Sequence, residues 1–141
     1  MTGLVAIVRV RGSAETKRPV EDTLEMINLT RVNHCVVREK TPALEGMLKK
    51  ASGYITWGPI ADGVLDRLVA KKGRLPGDKK LDAKQAIEET KKLAAGERTA
   101  IKKVFRLHPP SGGYRAIKRP FPDGDLGSRG DKINELLNKM I

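Results

Sequence analysis

The sequence predicts an α+β fold in which a β-α-β-α-β unit precedes a mainly helical second part. The first observation is the run LVAIVRVR at 4–11, whose β-branched and apolar residues are typical of a strand buried on both faces over most of its length. The second is that apolar stripes with helical spacing alternate with two further β-rich runs over 19–58. The third is that 141 residues, 39% of them hydrophobic, suffice for one compact domain with an extension.

The first strand has two different faces, because successive side chains along a strand point to opposite sides. One face is wholly apolar and holds Leu4, Ala6, Val8 and Val10. The other face begins with Val5 and Ile7 and turns cationic at Arg9 and Arg11. We therefore expect one face to hold helices and the other to offer two guanidinium groups to an anionic partner.

A helix and a second strand are expected next. Pro19 suits the first turn of a helix, and apolar residues at i, i+4 and i+7 indicate about ten helical residues. These apolar residues are Val20, Leu24 and Ile27. A second strand is predicted at 34–38, where three apolar residues follow His34.

A second helix and a third strand complete the unit. Thr41 is a suitable N-cap, and Pro42 follows at the first helical position. Gly53 is expected to end this helix in the left-handed conformation. A short third strand is predicted at 54–57. The unit thus covers residues 1–58.

Residues 59–141 are predicted to form an extension subdomain with a long basic loop. Its helices are expected at 61–72, 82–95 and 131–140. The loop covers 98–130, although 99–107 fits either a strand or a helical turn entering one. Because structureless stretches as long as 108–130 are uncommon unless functional or disordered, we expect both ends of this stretch to be tied to the protein.

The charge indicates a polyanionic partner. The formal net charge is +11 and the pI about 10.0, which points to RNA, DNA or an anionic membrane. Residues 98–122 carry seven Lys or Arg and no acid, whereas a solvated surface usually mixes both signs. No apolar run approaches membrane-spanning length, and no signal-peptide pattern is seen. Cys35 is the one cysteine, so no disulfide framework can form within the chain. The simplest interpretation is a protein of the reducing cytoplasm.

Two sets of motifs resemble a known family. The first set is LTRVNH at 29–34 and TPALEGML at 41–48. The second set is YITWG at 54–58, FRLHPPSGG at 105–113, GDLG at 124–127 and DKINEL at 131–136. The first set resembles the family of large-subunit ribosomal proteins numbered thirty. The second is similar to its longer archaeal and eukaryotic branch, and the archaeal form is the closer match.

The resemblance implies a fold and a function. It implies a ferredoxin-like unit whose three-stranded antiparallel sheet has the first strand at its centre and helices on one face, plus a C-terminal subdomain. It also implies a structural, non-catalytic role on the cytoplasmic ribosome, with large-subunit ribosomal RNA and neighbouring ribosomal proteins as partners. The small 5S RNA is a further candidate partner. A cofactor, a metal and a small-molecule substrate are not expected.

The residues expected to contact RNA are mainly cations in or before loops. They are Arg9, Arg11, Lys17, Arg18, Arg31, Asn33, His34, Arg106, His108, Tyr114, Arg115, Lys118 and Arg119. Tyr114 and Phe121 could stack on a base, with anchoring of the loop on the protein as the alternative for Phe121. For Arg9 and Arg11 the alternative is pairing with an acid of the extension.

Four other interpretations stay open at this point. The basic loop could be a solubilising surface rather than an RNA strap. Trp57 is expected to fill the junction of sheet and extension, with a role as a stacking platform as the alternative. Cys35 is expected to be a small buried strand residue. The chain could also be a non-ribosomal RNA-binding module, or an enzyme using His34 or His108, although it offers neither paired carboxylates nor a nucleophile–base pair. Cys35 adjoins His34 in sequence, but neighbours along a strand point to opposite faces.

Overall fold

A computed structural model describes residues 4–12, 17–75, 79–80, 82–94, 104–114, 119, 123–124 and 126–141. The elements of this part are, in chain order, β1 (Leu4–Arg9), α1 (Arg18–Met26), β2 (His34–Glu39), α2 (Pro42–Lys50), β3 (Ile55–Pro59), α3 (Asp62–Lys72), β4 (Arg74–Leu75), β5 (Lys79–Lys80), α4 (Ala83–Ala94), β6 (Val104–Arg106), β7 (Gly127–Ser128) and α5 (Ile133–Met140). A 3₁₀ turn, Gly130–Lys132, leads directly into α5. The α+β class and the β-α-β-α-β order of the first part are confirmed.

The main sheet has the order β6-β2-β1-β3-β7, so β1 is central. It is antiparallel to both β2 and β3, and Ile7 lies between Val36 on one side and Trp57 on the other. The predicted three-stranded core is therefore confirmed. The sheet is wider than predicted because β6 pairs antiparallel with β2 and β7 pairs parallel with β3. Division of the chain at residue 58 stays a prediction, and both added strands come from the second part.

Both faces of the sheet are covered by helices. One face packs on α1 and α2, in the cluster of Val5, Ile7, Leu24, Ile27, Leu29, Val36, Leu44, Leu48, Ala51 and Ile55. The other packs on α3, α4 and α5, in a cluster that includes Leu4, Ala6, Val8, Cys35, Val37, Leu65, Leu68, Ala86, Phe105, Ile133 and Leu137. The face that was expected to be cationic is thus the face under α1 and α2. The implied placement of the first two helices on one face agrees with this arrangement.

The first helices begin as predicted, but α2 ends earlier. Pro19 lies in the first turn of α1, and Thr41 Oγ1 accepts a hydrogen bond from the Leu44 N–H at 3.1 Å. The helix α2 ends at Lys50, and the backbone of Gly53 is not left-handed. Instead, the Tyr54 N–H donates to the Ala51 carbonyl, so that a tight turn leads directly into β3. The prediction for Gly53 was therefore wrong.

The second part contains short strands, of which only β6 lies in a segment for which a strand was a stated alternative. Residues 74–75 and 79–80, between the predicted helices at 61–72 and 82–95, form the two-residue strands β4 and β5. The ambiguous segment before Leu107 contains the strand β6. The helix α4 begins where expected, because Gln85 Oε1 accepts from the Asp82 N–H at 3.2 Å, which is one half of a capping box.

Candidate nucleic-acid interface

A row of paired residues crosses the sheet at the end where β1 and β6 end and β2 and β3 begin. Arg106 pairs with His34, and Arg9 pairs with Ile55. The pairing of β1 with β2 places His34 one step beyond the pair of Val8 and Cys35, and the Asn33 N–H donates to the Arg9 carbonyl at 2.9 Å. The topology thus brings segments that are distant in sequence to one end of the sheet.

Five predicted cations belong to this end, which we call the basic end. They are Arg11, Lys17, Arg18, Arg31 and Arg106. Arg11 is half-buried and the other four are exposed. Lys17 and Arg18 belong here because they begin α1, whose first-turn Glu21 lies close enough to Arg9 for their charges to interact. The guanidinium of Arg11 lies over the Tyr54 ring, 4.9 Å from its centroid, and donates to the Gly53 carbonyl at 3.3 Å. This cation–π contact holds one charge beside the start of β3.

Arg9 differs from the expectation because its side chain is buried. It is 2% exposed, and its guanidinium donates to the Leu29 carbonyl at 2.7 Å and to the Arg11 carbonyl at 2.8 Å. These bonds join the end of β1 to the loop before β2. Both acceptors are backbone carbonyls, so these bonds do not support the alternative that Arg9 pairs with an acid of the extension. Burial lowers the pKa of Arg9, and the charge of Glu21 on α1 opposes that shift.

Asn33 connects the loop, the sheet and the segment after β6. Its backbone is left-handed, with φ 66°, a conformation that Asn tolerates better than most residues. Its carbonyl accepts from the Leu107 N–H at 3.1 Å, and its Oδ1 accepts from the Tyr114 hydroxyl at 2.5 Å. The partly buried Tyr114 ring packs against the cluster under α5. Both residues were predicted as RNA contacts, and both also hold the basic end together.

His34 lies among cations and favours the neutral form. Burial, followed by the positive charges of Arg106, Arg31 and Arg9, lowers the pKa of His34 below its usual 6.5. Its Nδ1 is buried, with no hydrogen-bond partner in the described part of the chain. At neutral pH His34 is therefore suited to exchange a hydrogen bond rather than to add a charge. His108, two residues after Arg106, is exposed, and its backbone N–H donates to the Met140 carbonyl.

The long loop is tied to the protein at both ends, as predicted. After β6, the Ser111 N–H donates to the Lys139 carbonyl at 3.2 Å. Before α5, Thr56 Oγ1 donates to the Gly127 carbonyl, and Arg129 Nε donates to Thr56 Oγ1, both at 2.9 Å. The exposed Arg119 lies near the β7 edge, where its carbonyl accepts from the Leu126 N–H. The predicted contacts Arg115 and Lys118, and also Phe121, lie outside the described residues.

Three residues with other expectations are also placed. Cys35 is fully buried as predicted, and burial raises the pKa of its thiol to about 12. Trp57 is half-buried, but it packs on the side of α1 and α2 rather than at the junction with the extension. Sequence reasoning missed Tyr54 as the support of Arg11, although an aromatic residue directly before a strand was a usable signal.

The described residues show neither a membrane-spanning helix nor a group of metal ligands. None of their helices combines the length and the apolar character that a membrane crossing needs. No three side chains among them, drawn from His, Cys, Asp and Glu, are grouped as a metal site requires.

Comparison with known proteins gives consistent matches. Residues 5–55 match the family described as ribosomal protein L30p/L7e. The large ribosomal subunit protein uL30 of Methanosphaera stadtmanae is 41% identical, over 98% of this chain and 100% of that protein. The uL30 proteins of Methanococcus maripaludis strain S2 and Methanobrevibacter smithii are 45% and 40% identical, each over 96% of this chain and 98% of the relative.

Proposed function

Because the chain belongs to the uL30 family of large ribosomal subunit proteins, we propose that it is a structural constituent of that subunit and binds its ribosomal RNA through the basic end. The observation that carries the proposal is the convergence of five cations from four separate segments at one end of a rigid sheet. The central strand is buried on both faces, and every residue of β1 is at most 6% exposed. Such a platform holds the cations at fixed positions.

The chemistry of these groups suits the RNA backbone. Arginine offers up to five donors in a planar fork that matches phosphate oxygens. Double-stranded RNA is recognised mainly through its shape, phosphates and 2′-hydroxyls, because its deep major groove is closed to side chains. We therefore expect Arg11, Arg31 and Arg106 to contact phosphates, with Lys17 and Arg18 beside them. His34, in its neutral form, suits a ribose hydroxyl.

The segment after β6 extends this surface as a strap. It begins at Arg106 beside the basic end and reaches Arg119 near the opposite edge of the sheet. Described residues on either side of it are hydrogen-bonded to the protein, at Ser111 and at Gly127. Arg115, Lys118 and Arg119 are proposed phosphate contacts on the strap, the first two from the sequence pattern alone. Arg9 is left out of the proposed surface because its guanidinium is buried.

The salt dependence of RNA binding tests the proposal. The binding constant K falls as the salt concentration rises, and each lost phosphate contact makes the plot of log K against log salt less steep by about 0.7 to 0.9. Replacing Arg11, Arg31 and Arg106 by Gln should therefore reduce the steepness of this plot by about 2 to 3 for binding to a large-subunit RNA fragment. The matched control replaces three exposed lysines of α3 and α4, Lys71, Lys84 and Lys91, by Gln. An equal loss in both variants would mean that only net charge matters, and the proposed surface would be wrong.

Two finer points have their own tests. The 5S RNA stays a predicted partner, and competition between 5S RNA and a large-subunit RNA fragment for the protein tests it. The alternative of a non-ribosomal RNA-binding module predicts that the protein stays outside the large subunit in a sucrose gradient of native lysate. The proposed role contains no catalytic step, and the buried thiol of Cys35 is a poor nucleophile because its pKa is about 12.

A further inference from the structure

A groove of about 380 Å³ lies between α2 and the strand β3, away from the row of residues at the basic end. Its floor is apolar and consists of Val5, Leu48, Trp57 and Pro59, with Gly58 between the last two. Trp57, the one tryptophan of the chain, is half-buried, so that part of its indole faces the groove. An apolar floor with an aromatic plane is a surface on which a flat ring can stack.

The rim of the groove is polar and carries an excess of positive charge. It consists of Lys40, Glu45, Lys49 and Ser128. Lys40 pairs with Glu45 at 3.3 Å. Lys49 forms no ion pair with any described residue, and it follows Leu48 in the last turn of α2. The groove therefore joins an exposed aromatic surface to one unneutralised ammonium group.

We propose that this groove binds an unpaired nucleotide of single-stranded RNA, with the base stacked on Trp57 and a phosphate at Lys49. The inference rests on the proposed RNA-binding function but concerns a second surface. Stacking of a base on an aromatic ring tolerates any sequence, because every base has a flat π-face. The volume fits one base rather than a helix, so the bound nucleotide must be unstacked from its neighbours.

The rim favours RNA over a protein side chain as the occupant. An apolar side chain of a protein partner would contact the floor but would offer nothing to the exposed Lys49 ammonium. A nucleotide instead satisfies both parts of the groove, since its base is apolar on both faces and its phosphate is anionic. The Ser128 hydroxyl adds a donor and acceptor at the β7 side of the rim.

Fluorescence of Trp57 reports directly on this site. Adding a short single-stranded oligonucleotide of adenosine or uridine to the full chain should quench the emission, because a stacked base quenches indole fluorescence. A fully paired RNA duplex should leave the emission unchanged even where it binds at the basic end. The Gln variant of Arg11, Arg31 and Arg106 should keep the quenching, so that failure of the basic end and failure of the groove give different results.

Substitutions identify the contacts. Lys49→Gln should reduce the steepness of the salt dependence of oligonucleotide binding by about 0.7. The control Lys50→Gln, on the same turn but outside the groove, should leave it unchanged. Trp57→Leu, which keeps apolar bulk, should weaken binding about tenfold in an anisotropy assay with labelled oligonucleotide. Circular dichroism of each variant checks the fold. Absence of quenching, or an equal effect of Lys49→Gln and Lys50→Gln, would overturn the proposal.

Discussion

At the scale of single residues, burial rather than charge separates the roles of the arginines. Arg9 and Arg31 carry the same group, but Arg9 is buried against carbonyls whereas Arg31 is exposed. The sequence predicted which side of β1 carries Arg9, since alternation along a strand determines that. The burial of Arg9 could not be predicted in this way, because the groups that cover it belong to α1 and to the loop around Leu29, not to the strand itself. Arg9 is thus a positioning residue for the loop that ends at Asn33 and leads into β2 at His34.

Replacing Arg9 by Lys should destabilise the fold. Lysine keeps the charge but lacks the fork that reaches both the Leu29 and Arg11 carbonyls, so buried acceptors lose partners. We expect the free energy of unfolding to fall by about 1 to 3 kcal/mol in urea denaturation. Arg31→Lys, at an exposed position, should stay within about 0.5 kcal/mol of the wild type. Equal stability of the two variants would contradict the positioning role.

The stability of the protein should depend on pH through His34. Its pKa in the folded protein is lowered below 6.5, so the unfolded chain binds the proton more readily than the folded one. The contribution of neutral His34 is therefore fully present above pH 6.5 and is lost as the pH falls toward the lowered value. Between pH 7.5 and pH 5, the melting temperature should fall less steeply for His34→Gln than for the wild type. Parallel curves would show that the environment of His34 does not penalise its charge.

At the scale of elements, strong local signals were predictable, whereas the short paired strands were ambiguous, as at β6, or were not predicted, as at β7. The strand β1 and the Thr41 cap of α2 carry their own patterns, and both occur where predicted. The strands β6 and β7 have three and two residues, too few for any periodicity, and they exist because β2 and β3 offer partners distant in sequence. In the same way, the cations of the basic end were predictable individually. That they meet at one end of the sheet could not be predicted, because it depends on how β1, β2, β3 and β6 pair.

Gly58 tests the packing of β3 against the turn before α5. A Cβ atom there would lie 2.2 Å from the Gly130 carbonyl oxygen and 2.9 Å from Ile133 Cγ2, so the backbone of the turn would have to move. Gly58→Ala should therefore cost about 1 to 3 kcal/mol of unfolding free energy. Gly46→Ala, in an open position on α2, should instead gain up to about 1 kcal/mol, because alanine favours a helix. A neutral Gly58→Ala would mean that this turn adapts easily.

At the scale of the whole molecule, the sheet joins the two parts of the chain into one core. The face of Leu4, Ala6 and Val8 is apolar and is covered by α3, α4 and α5. The edges of the sheet are also completed by β6 and β7 from the second part. Both parts therefore contribute to the same cooperative unit, since neither buries the sheet alone.

A fragment of residues 1–58 should not fold to a stable monomer. It keeps the pairing of β1 with β2 and β3 but leaves an apolar face open to water. We expect the fragment to bind a hydrophobic dye and to self-associate, whereas the full chain should unfold in a single transition. Analytical ultracentrifugation and dye fluorescence measure both properties. A monomeric fragment that binds no dye would show that the first part is an independent domain.

The position of β1 at the centre of the sheet also determines when the core can close during synthesis. The ribosome makes β1 first, but α5, which covers its second face, begins 74 residues after β3 ends, from Pro59 to Ile133. At about 5 to 20 residues per second, the nascent chain waits about 4 to 15 seconds with this apolar face only partly covered, first by α3 and then by α4. Over that interval the chain depends on protection by other molecules, and a chain truncated before α5 displays the same apolar face as a mark of incomplete synthesis.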